Sequence, residues 1–166
     1  MEIFAIQRGG VSASACNIIP FDGKYKADFA RLNYAWIEKY FAVEPLDRSI
    51  LDHPEAEIIA RGGQIFFAVR DGKAVGTVAL KVESETRWEL TKMGVDEQRR
   101  GLGYGRLLLD AAVAYARAAQ VKQLVLSSHT SLAPAIALYR KAGFVDRPDI
   151  ADSCYSRCNI YMQLDL

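Results

Sequence analysis

The feature that most constrains the fold of this chain is a glycine-rich stretch at residues 98–105, Q-R-R-G-L-G-Y-G. It follows an alternating segment that predicts a strand over residues 88–95, and it leads into a leucine- and alanine-rich segment that predicts a helix over residues 101–119. Glycine lets the backbone turn sharply and lets a ligand come close to the amides. Because the first amides of a helix lack internal partners and lie at the positive end of its dipole, the pattern predicts a cradle for a phosphate or diphosphate.

Two common phosphate-binding motifs do not fit this stretch. No Gly-Lys-Ser or Gly-Lys-Thr sequence is present, which excludes a P-loop. The glycines are spaced G-x-G-x-G rather than G-x-G-x-x-G, and the next predicted strand ends at Ser127 and Ser128 without an acidic residue for a ribose, which excludes the dinucleotide fingerprint. The alternative is a tight turn with a purely structural role, which lets the helix pack closely.

The whole chain predicts one mixed α/β domain over residues 1–166. Asp71-Gly72 favours a hairpin turn, and Gly143 favours the end of a helix. Residues 1–13 are either an extra edge strand or a lead-in. The predicted order is β-α-α-β-β-β-α-β-α-β-β, with strands over 14–20, 64–70, 73–82, 88–95, 123–127, from 144 onward and over 158–166, and helices over 24–41, 47–53, 101–119 and 133–142.

The composition is that of an ordinary globular protein, with 51% hydrophobic and 25% charged residues among 166. A formal net charge of +1 predicts no nucleic-acid partner and no membrane partner. No apolar run approaches the roughly 18–20 residues that cross a bilayer, and the N-terminal residues lack the pattern of a secretory signal. Three cysteines, Cys16, Cys154 and Cys158, are too few for a disulfide framework, so we expect a cytoplasmic protein in which they pack.

Three stretches resemble, in the right order, signatures of one enzyme superfamily. Residues 98–109, Q-R-R-G-L-G-Y-G-R-L-L-L, resemble the acyl-CoA signature Q/R-x-x-G-x-G/A of the GNAT N-acyltransferases. Residues 89–95, E-L-T-K-M-G-V, are similar to the fourth strand of that superfamily, and residues 135–144, A-I-A-L-Y-R-K-A-G-F, to its second signature, A-x-x-L-Y-x-x-x-G-F. The resemblance covers residues 64–145 and departs from the superfamily at residues 128–132, S-H-T-S-L, where many members carry an Asn. The two ends of the chain resemble a bacterial branch.

The resemblance implies the GNAT fold, an α/β fold with a central splayed, mostly antiparallel sheet flanked by helices. It also implies acetyl-CoA as co-substrate, without a metal, in the wedge between the fourth and fifth strands. The pantetheine arm would pair with the fourth strand, and the diphosphate would rest on the amides of the glycine turn. The implied cofactor-binding residues are Met93, Val95, Arg99, Arg100, Gly101, Gly103, Tyr104, Gly105 and Arg106.

The resemblance implies two catalytic residues for the attack of an amine on a thioester. Glu89 resembles a strand-four glutamate that acts as the base in several members, and on an extended strand it is expected to face the same side as Met93 and Val95. A base is needed because an alkylamine, with a pKa of about 10, is mostly protonated at neutral pH. Tyr139 matches the tyrosine of the second signature and would protonate the departing thiolate. The alternatives are a salt-bridged strand carboxylate and a core tyrosine.

The acceptor is less constrained than the co-substrate. The resemblance implies transfer to a primary amine, which we expect to belong to a small molecule; a peptide or protein amine and a non-catalytic acyl-CoA sensor are the alternatives, and a homodimer is a further expectation. Helical spacing favours core packing for Trp36, Tyr40 and Phe41, although the helix that carries them lines the acceptor side in this superfamily. Other polar candidates, with surface or structural roles favoured, are Arg48, His129, Arg140, Lys141, Tyr155 and Arg157.

Overall fold

The computed structural model describes residues 15–150 and 155–166. The helices are α1 (Lys26–Tyr40), α2 (Pro45–Asp52), α3 (Tyr104–Ala118) and α4 (Ala133–Lys141). The strands are β1 (Asn17–Pro20), β2 (Gln64–Arg70), β3 (Lys73–Val82), β4 (Arg87–Val95), β5 (Gln123–Ser128), β6 (Val145–Asp146) and β7 (Ile160–Asp165). Their order along the chain confirms the predicted order. Residues 1–13 and Cys154, for which the sequence analysis also made predictions, lie outside the described residues.

The described strands form one seven-stranded sheet in the order β1-β2-β3-β4-β5-β7-β6. Neighbouring strands are antiparallel, except that β4 and β5 run parallel. This parallel pairing is short, because only Arg87–Glu89 of β4 pairs with Gln123–Val125 of β5. Beyond these residues the two strands no longer pair with each other, so the sheet splays open between them, as the resemblance implied.

Helices cover both faces of the sheet and bury two apolar clusters. The α3 face is formed by the apolar stripe of that helix and by alternate strand residues; its fully buried members include Leu108, Leu109, Ala112, Val78, Leu80 and Leu124. The other face carries α1 and α2, and its fully buried members include Phe29, Ile37, Leu51, Ile65 and Phe67. Each of the larger side chains contributes about 1.5–3 kcal/mol by its removal from water. The two layers hold β4 firmly between them at the point where the sheet opens.

A β-bulge at Lys92 interrupts the alternation of β4. Thr91 pairs with Ala79 of β3 and Gly94 with Thr77, so β4 has one residue more than β3 over this stretch. Lys92 has a φ of 50°, in the left-handed region that non-glycine residues rarely adopt. The extra residue shifts every later side chain to the opposite face of the sheet.

Because of the bulge, the prediction that Glu89 faces the same side of the sheet as Met93 and Val95 is wrong. Met93 and Val95 pack against the α3 cluster. The neighbours of Glu89 in sequence, Trp88 and Leu90, also belong to that cluster, so the alternation points Glu89 to the α1 and α2 face. The physical reason is that a period of two holds only while each residue of a strand has one partner.

Two boundaries are set by glycine conformation. Gly101 and Gly103 have φ values of 77° and 84°, so α3 begins at Tyr104, three residues later than predicted. The predicted hairpin is confirmed, because Asp71 and Gly72 both have positive φ, at 50° and 72°, as a tight two-residue turn requires. Within residues 15–150 and 155–166, no helix combines the length and apolarity needed to cross a membrane.

Candidate active site

A cavity of about 620 Å³ opens where β4 and β5 separate. One wall is formed by β4, and the turn before α3 closes one end. The remaining walls come from α4, the residues after β5, the C-terminal end of α1 and the segment before β7. All eleven residues that the sequence analysis assigned to catalysis or cofactor binding line it: Glu89, Met93, Val95, Arg99, Arg100, Gly101, Gly103, Tyr104, Gly105, Arg106 and Tyr139.

The turn before α3 presents unpaired backbone amides to this cavity. The first backbone hydrogen bond that closes onto the start of α3 runs from the Leu107 amide to the Gly103 carbonyl, at 3.1 Å. No described residue accepts a hydrogen bond from the backbone amides between Gly101 and Arg106. A Cβ at Gly101 or Gly103 would meet no atom within 4 Å, so positive φ rather than crowding requires glycine there. These amides lie at the positive end of the α3 dipole, an arrangement that suits a diphosphate.

Positive side chains surround the same end of the cavity, namely Arg99, Arg100 and Arg106. The Arg100 guanidinium interacts with the Tyr40 hydroxyl and lowers the pKa of that hydroxyl. The Arg106 Nε donates a 2.8 Å hydrogen bond to Asp110, one turn further along α3. Arg106 is therefore partly neutralised, whereas the amides of the turn carry no such competitor.

Tyr139 lies on α4 with 7% of its surface exposed. Its hydroxyl donates to the sulfur of Met93 at 3.9 Å, and its ring packs on Phe144 with 5.9 Å between centroids. Burial raises the pKa of Tyr139 to about 12, so the hydroxyl keeps its proton at neutral pH. The residue is thus both a packed aromatic, as the alternative held, and a hydrogen-bond donor that lines the cavity.

Glu89 is the last residue of β4 that pairs with β5, at the point where the sheet begins to open. Its side chain is 16% exposed, and its carboxylate lies 3.6 Å from the Lys81 ammonium of β3. Burial raises the pKa of Glu89, and Lys81 partly opposes this. A carboxylate that holds a proton more tightly than usual is a better base toward an amine near neutral pH.

A buried charged cluster that the sequence analysis did not predict lies beside Glu89. The Lys92 ammonium donates to Asp47 of α2 and to the Tyr155 hydroxyl, each at 2.7 Å. The Arg157 guanidinium binds the same carboxylate with two hydrogen bonds of 2.8 Å and lies 4.3 Å from the centroid of the Tyr155 ring. We call these four side chains, Asp47, Lys92, Tyr155 and Arg157, the Asp47 cluster.

The Asp47 cluster is almost closed to water. The side chain of Asp47 is 0% exposed and that of Lys92 is 2% exposed. Burial alone would raise the pKa of Asp47, but the hydrogen bonds from Arg157 and Lys92 outweigh it and lower the value to about 2. Burial lowers the pKa of Lys92, with Asp47 opposing. The cluster joins α2, the bulge of β4 and the segment before β7, and its two cations and the carboxylates of Asp47 and Glu44 balance in charge.

Aromatic side chains from the end of α1 line the same part of the cavity. The prediction that all three pack in the core is wrong for Tyr40, which is 45% exposed. Trp36 and Phe41 are half-buried, with ring centroids 6.4 Å apart. Phe41 meets His129, from the loop after β5, at 5.3 Å across the cavity. The ring of His129 is half-buried and hydrogen-bonded to Ser131, as expected for a polar loop residue.

The remaining candidates lie away from this cavity or inside the Asp47 cluster. Arg48 is exposed and Arg140 pairs with Asp146 at 2.8 Å; neither they nor Lys141 line the cavity. Tyr155 and Arg157 do line it, and their hydrogen bonds to the cluster agree with the structural role favoured for them.

Comparison with known proteins gives one family. A model described as the acetyltransferase (GNAT) family matches residues 29–144. The chain is 41% identical to an IAA acetyltransferase of Azospirillum brasilense over 81 residues, which cover 48% of this chain and 53% of that protein. It is 31% identical to a mycothiol acetyltransferase of Thermomonospora curvata over 110 residues, which cover 58% of this chain and 37% of that protein. The chain therefore spans about half the length of the first relative and little more than a third of the second.

Solved structures share the fold. A GNAT-family acetyltransferase from Staphylococcus aureus Mu50 superposes with a TM-score of 0.81 at 22% identity, over 91% of this chain and 99% of the other. YncA of Salmonella typhimurium, solved with its cofactor acetyl-CoA, gives a TM-score of 0.71 at 20% identity, over 92% and 94% of the two chains. At these identities the likeness concerns the fold alone.

Proposed function

The chain belongs to the GNAT acetyltransferase family, and on that premise we propose that it transfers an acetyl group from acetyl-CoA to a primary amine of a small molecule. The amine attacks the thioester directly while both substrates are bound. The observation that carries this proposal is the shared cavity. It has unpaired amides at one end and is also lined by Glu89 of β4 and Tyr139 of α4.

Binding of acetyl-CoA is assigned to the turn before α3 and to β4. The amides of Gly101, Gly103 and Tyr104 bind the diphosphate, and Arg99 and Arg100 neutralise part of its charge. The pantetheine arm runs along Met93 and Val95, on the α3 face of the bulged strand. Support for this path comes from the lining of the cavity, which is continuous from the turn to α4.

Glu89 is the base of the proposed reaction. An alkylammonium must lose a proton before its nitrogen can attack, and a buried carboxylate with a raised pKa receives that proton near neutral pH. The carboxylate also attracts the ammonium before transfer. Because Glu89 lies on the α1 and α2 face of β4, we assign the acceptor to that face, close to Trp36 and Phe41.

Tyr139 is the acid. As the C–S bond breaks, the thiolate of CoA takes a proton from the Tyr139 hydroxyl. Burial raises the pKa of this hydroxyl to about 12, so it still holds its proton at neutral pH when the thiolate forms. The sulfur of Met93, which now accepts the hydrogen bond, shows that the hydroxyl reaches a sulfur atom on this side of the cavity.

A small acceptor is favoured over a charged polymer. The charges of the Asp47 cluster and Glu44 balance, so this cluster presents no net charge to a polycation or a polyanion. The two relatives described above carry the names of small molecules, IAA and mycothiol. A peptide or protein amine remains the rival acceptor.

Thiol release tests the proposal. The protein is incubated with acetyl-CoA and a panel of amines comprising arylalkylamines, polyamines, amino sugars and a peptide with a free N-terminus, and free CoA is measured over time. Release that depends on one small amine supports the proposal. Release only with the peptide selects the rival acceptor, and CoA binding by calorimetry without release from any amine identifies an acyl-CoA sensor instead.

A further inference from the structure

A second, smaller chamber lies behind Glu89. It has a volume of about 60 Å³ and shares four wall residues with the large cavity: Glu89, Leu126, Ser127 and Tyr155. Val125, which pairs with Glu89 across β4 and β5, lines the chamber but not the large cavity. Glu89 therefore stands between the two spaces, with the reactants expected on one side only.

The outer wall of the chamber is polar and reaches the surface. Lys81, Glu83 and Arg87 form this wall, and their side chains are 28%, 35% and 34% exposed. The buried Nε of Arg87 lies 3.0 Å from Glu83, but it makes no well-aligned hydrogen bond to any described residue. At roughly 10–15 Å³ for each water molecule, the chamber has room for several, and the Arg87 Nε offers one of them a donor.

The proposed reaction must dispose of a proton in every turnover. The C–N bond forms and the C–S bond breaks, and the nitrogen of an ammonium substrate gives up two protons on its way to the amide. One proton replaces the proton that Tyr139 gives to the sulfur of CoA, and the other leaves the protein. Glu89 receives the proton that leaves, and its face toward the large cavity is covered by reactants and then by products.

We infer that the chamber behind Glu89 is the exit for that proton, carried by water between Glu89 and the surface at Lys81 and Glu83. This inference rests on the proposed function. Val125 and Glu83 are positioning residues of the path, because neither touches a reacting atom.

The charges around Glu89 suit such a path. Lys81 of β3 and Lys92 of β4 favour the carboxylate, whereas burial and Glu83 favour the carboxylic acid. Tyr155 also lines the chamber and accepts a hydrogen bond from Lys92, which is itself bound to Asp47. These opposing influences allow Glu89 both to accept a proton from the substrate and to release it toward the chamber.

The test narrows the chamber without touching the large cavity. Val125→Leu adds one methylene at the chamber wall, and Glu83→Gln removes the outer carboxylate at a half-exposed position, where folding is not at risk. Val121→Leu is the matched control, since Val121 is as buried as Val125 but packs in the α3 cluster and lines neither space. Product is followed through the first turnover and the steady state, in H₂O and in D₂O.

We expect a full first turnover at the wild-type rate in both variants, because Glu89 can hold the proton of one turnover without passing it on. Steady turnover then falls about tenfold with an unchanged KM for acetyl-CoA, and the solvent isotope effect on kcat rises. The control keeps the wild-type steady rate. Wild-type turnover and a wild-type isotope effect in both variants would overturn the proposed proton exit. A crystal structure of the wild type without water in the chamber would overturn it too. A wild-type protein that transfers acetyl to no amine contradicts the proposed function itself.

Discussion

The Asp47 cluster gives the sharpest prediction about stability. Asp47→Asn keeps the shape of the side chain and removes its charge. The carboxylate accepts hydrogen bonds from Lys92 at 2.7 Å and from Arg157 at 2.8 Å, and from the amide of Glu44 at 2.9 Å. In the variant, the Lys92 ammonium loses the carboxylate that binds it but stays buried, since its side chain is 2% exposed.

The size of the effect follows from the pKa of Asp47. A carboxyl group whose pKa falls from 3.8 to about 2 stabilises the folded state by about 2 kcal/mol at neutral pH. Removal of one partner from a buried ion pair costs about 3–5 kcal/mol, because the other charge stays in place. At roughly 2–4 °C for each kcal/mol in a chain of this length, Asp47→Asn should lower Tm by about 10 °C.

The sign of the pH dependence supplies a second check. Because the pKa of Asp47 is lowered on folding, its contribution is complete above pH 4 and is lost as the pH falls toward 2. Thermal melts at pH 7 and near pH 3 should therefore show the gap between wild type and variant shrinking in acid. Glu44→Gln, at a position 21% exposed, is the control and should cost at most about 1 kcal/mol. A variant that melts with the wild type at pH 7 would refute the reasoning.

Three further predictions concern activity. Tyr139→Phe should lower kcat by about 10²-fold with little change in affinity for acetyl-CoA, and unchanged turnover in stopped-flow assays would remove it from the mechanism. Because burial raises the pKa of Glu89, wild-type activity should fall in acid at a pH above the ordinary range of a carboxyl group. Glu89→Gln should lose activity at neutral pH and recover part of it at alkaline pH. A wild-type pH profile in this variant would exclude the base role. Gly101→Ala and the control Gly72→Ala should each lose about 1 kcal/mol of stability, because their φ values are 77° and 72°, but calorimetry should find weaker CoA binding only for Gly101→Ala.

The strands and helices were predictable where short-range chemistry fixes them. β2 and β3 match the predicted ranges 64–70 and 73–82, because Asp71-Gly72 sets both the turn and the register. Tyr139 and the glycine turn, which two family signatures identified in the sequence, also line one cavity. Signals of this kind lie within a few residues of the structure they specify.

The bulge at Lys92 could not be predicted in the same way. Burial along β4 still alternates strictly, with Trp88, Leu90, Lys92 and Gly94 buried, so the sequence pattern carries no sign that the faces exchange. The buried lysine itself was the available signal, since a charge at an interior strand position requires a partner. That partner was not identifiable, because Asp47 lies 45 residues before Lys92 and Tyr155 lies 63 after it.

A crystal structure of the protein soaked with CoA tests the central claim most directly. We predict that the diphosphate contacts the backbone amides between Gly101 and Gly105, and that the sulfur displaces Met93 as the hydrogen-bond acceptor of Tyr139. A nucleotide bound outside this cavity, or a cavity that takes up no CoA at saturating concentration, would contradict it.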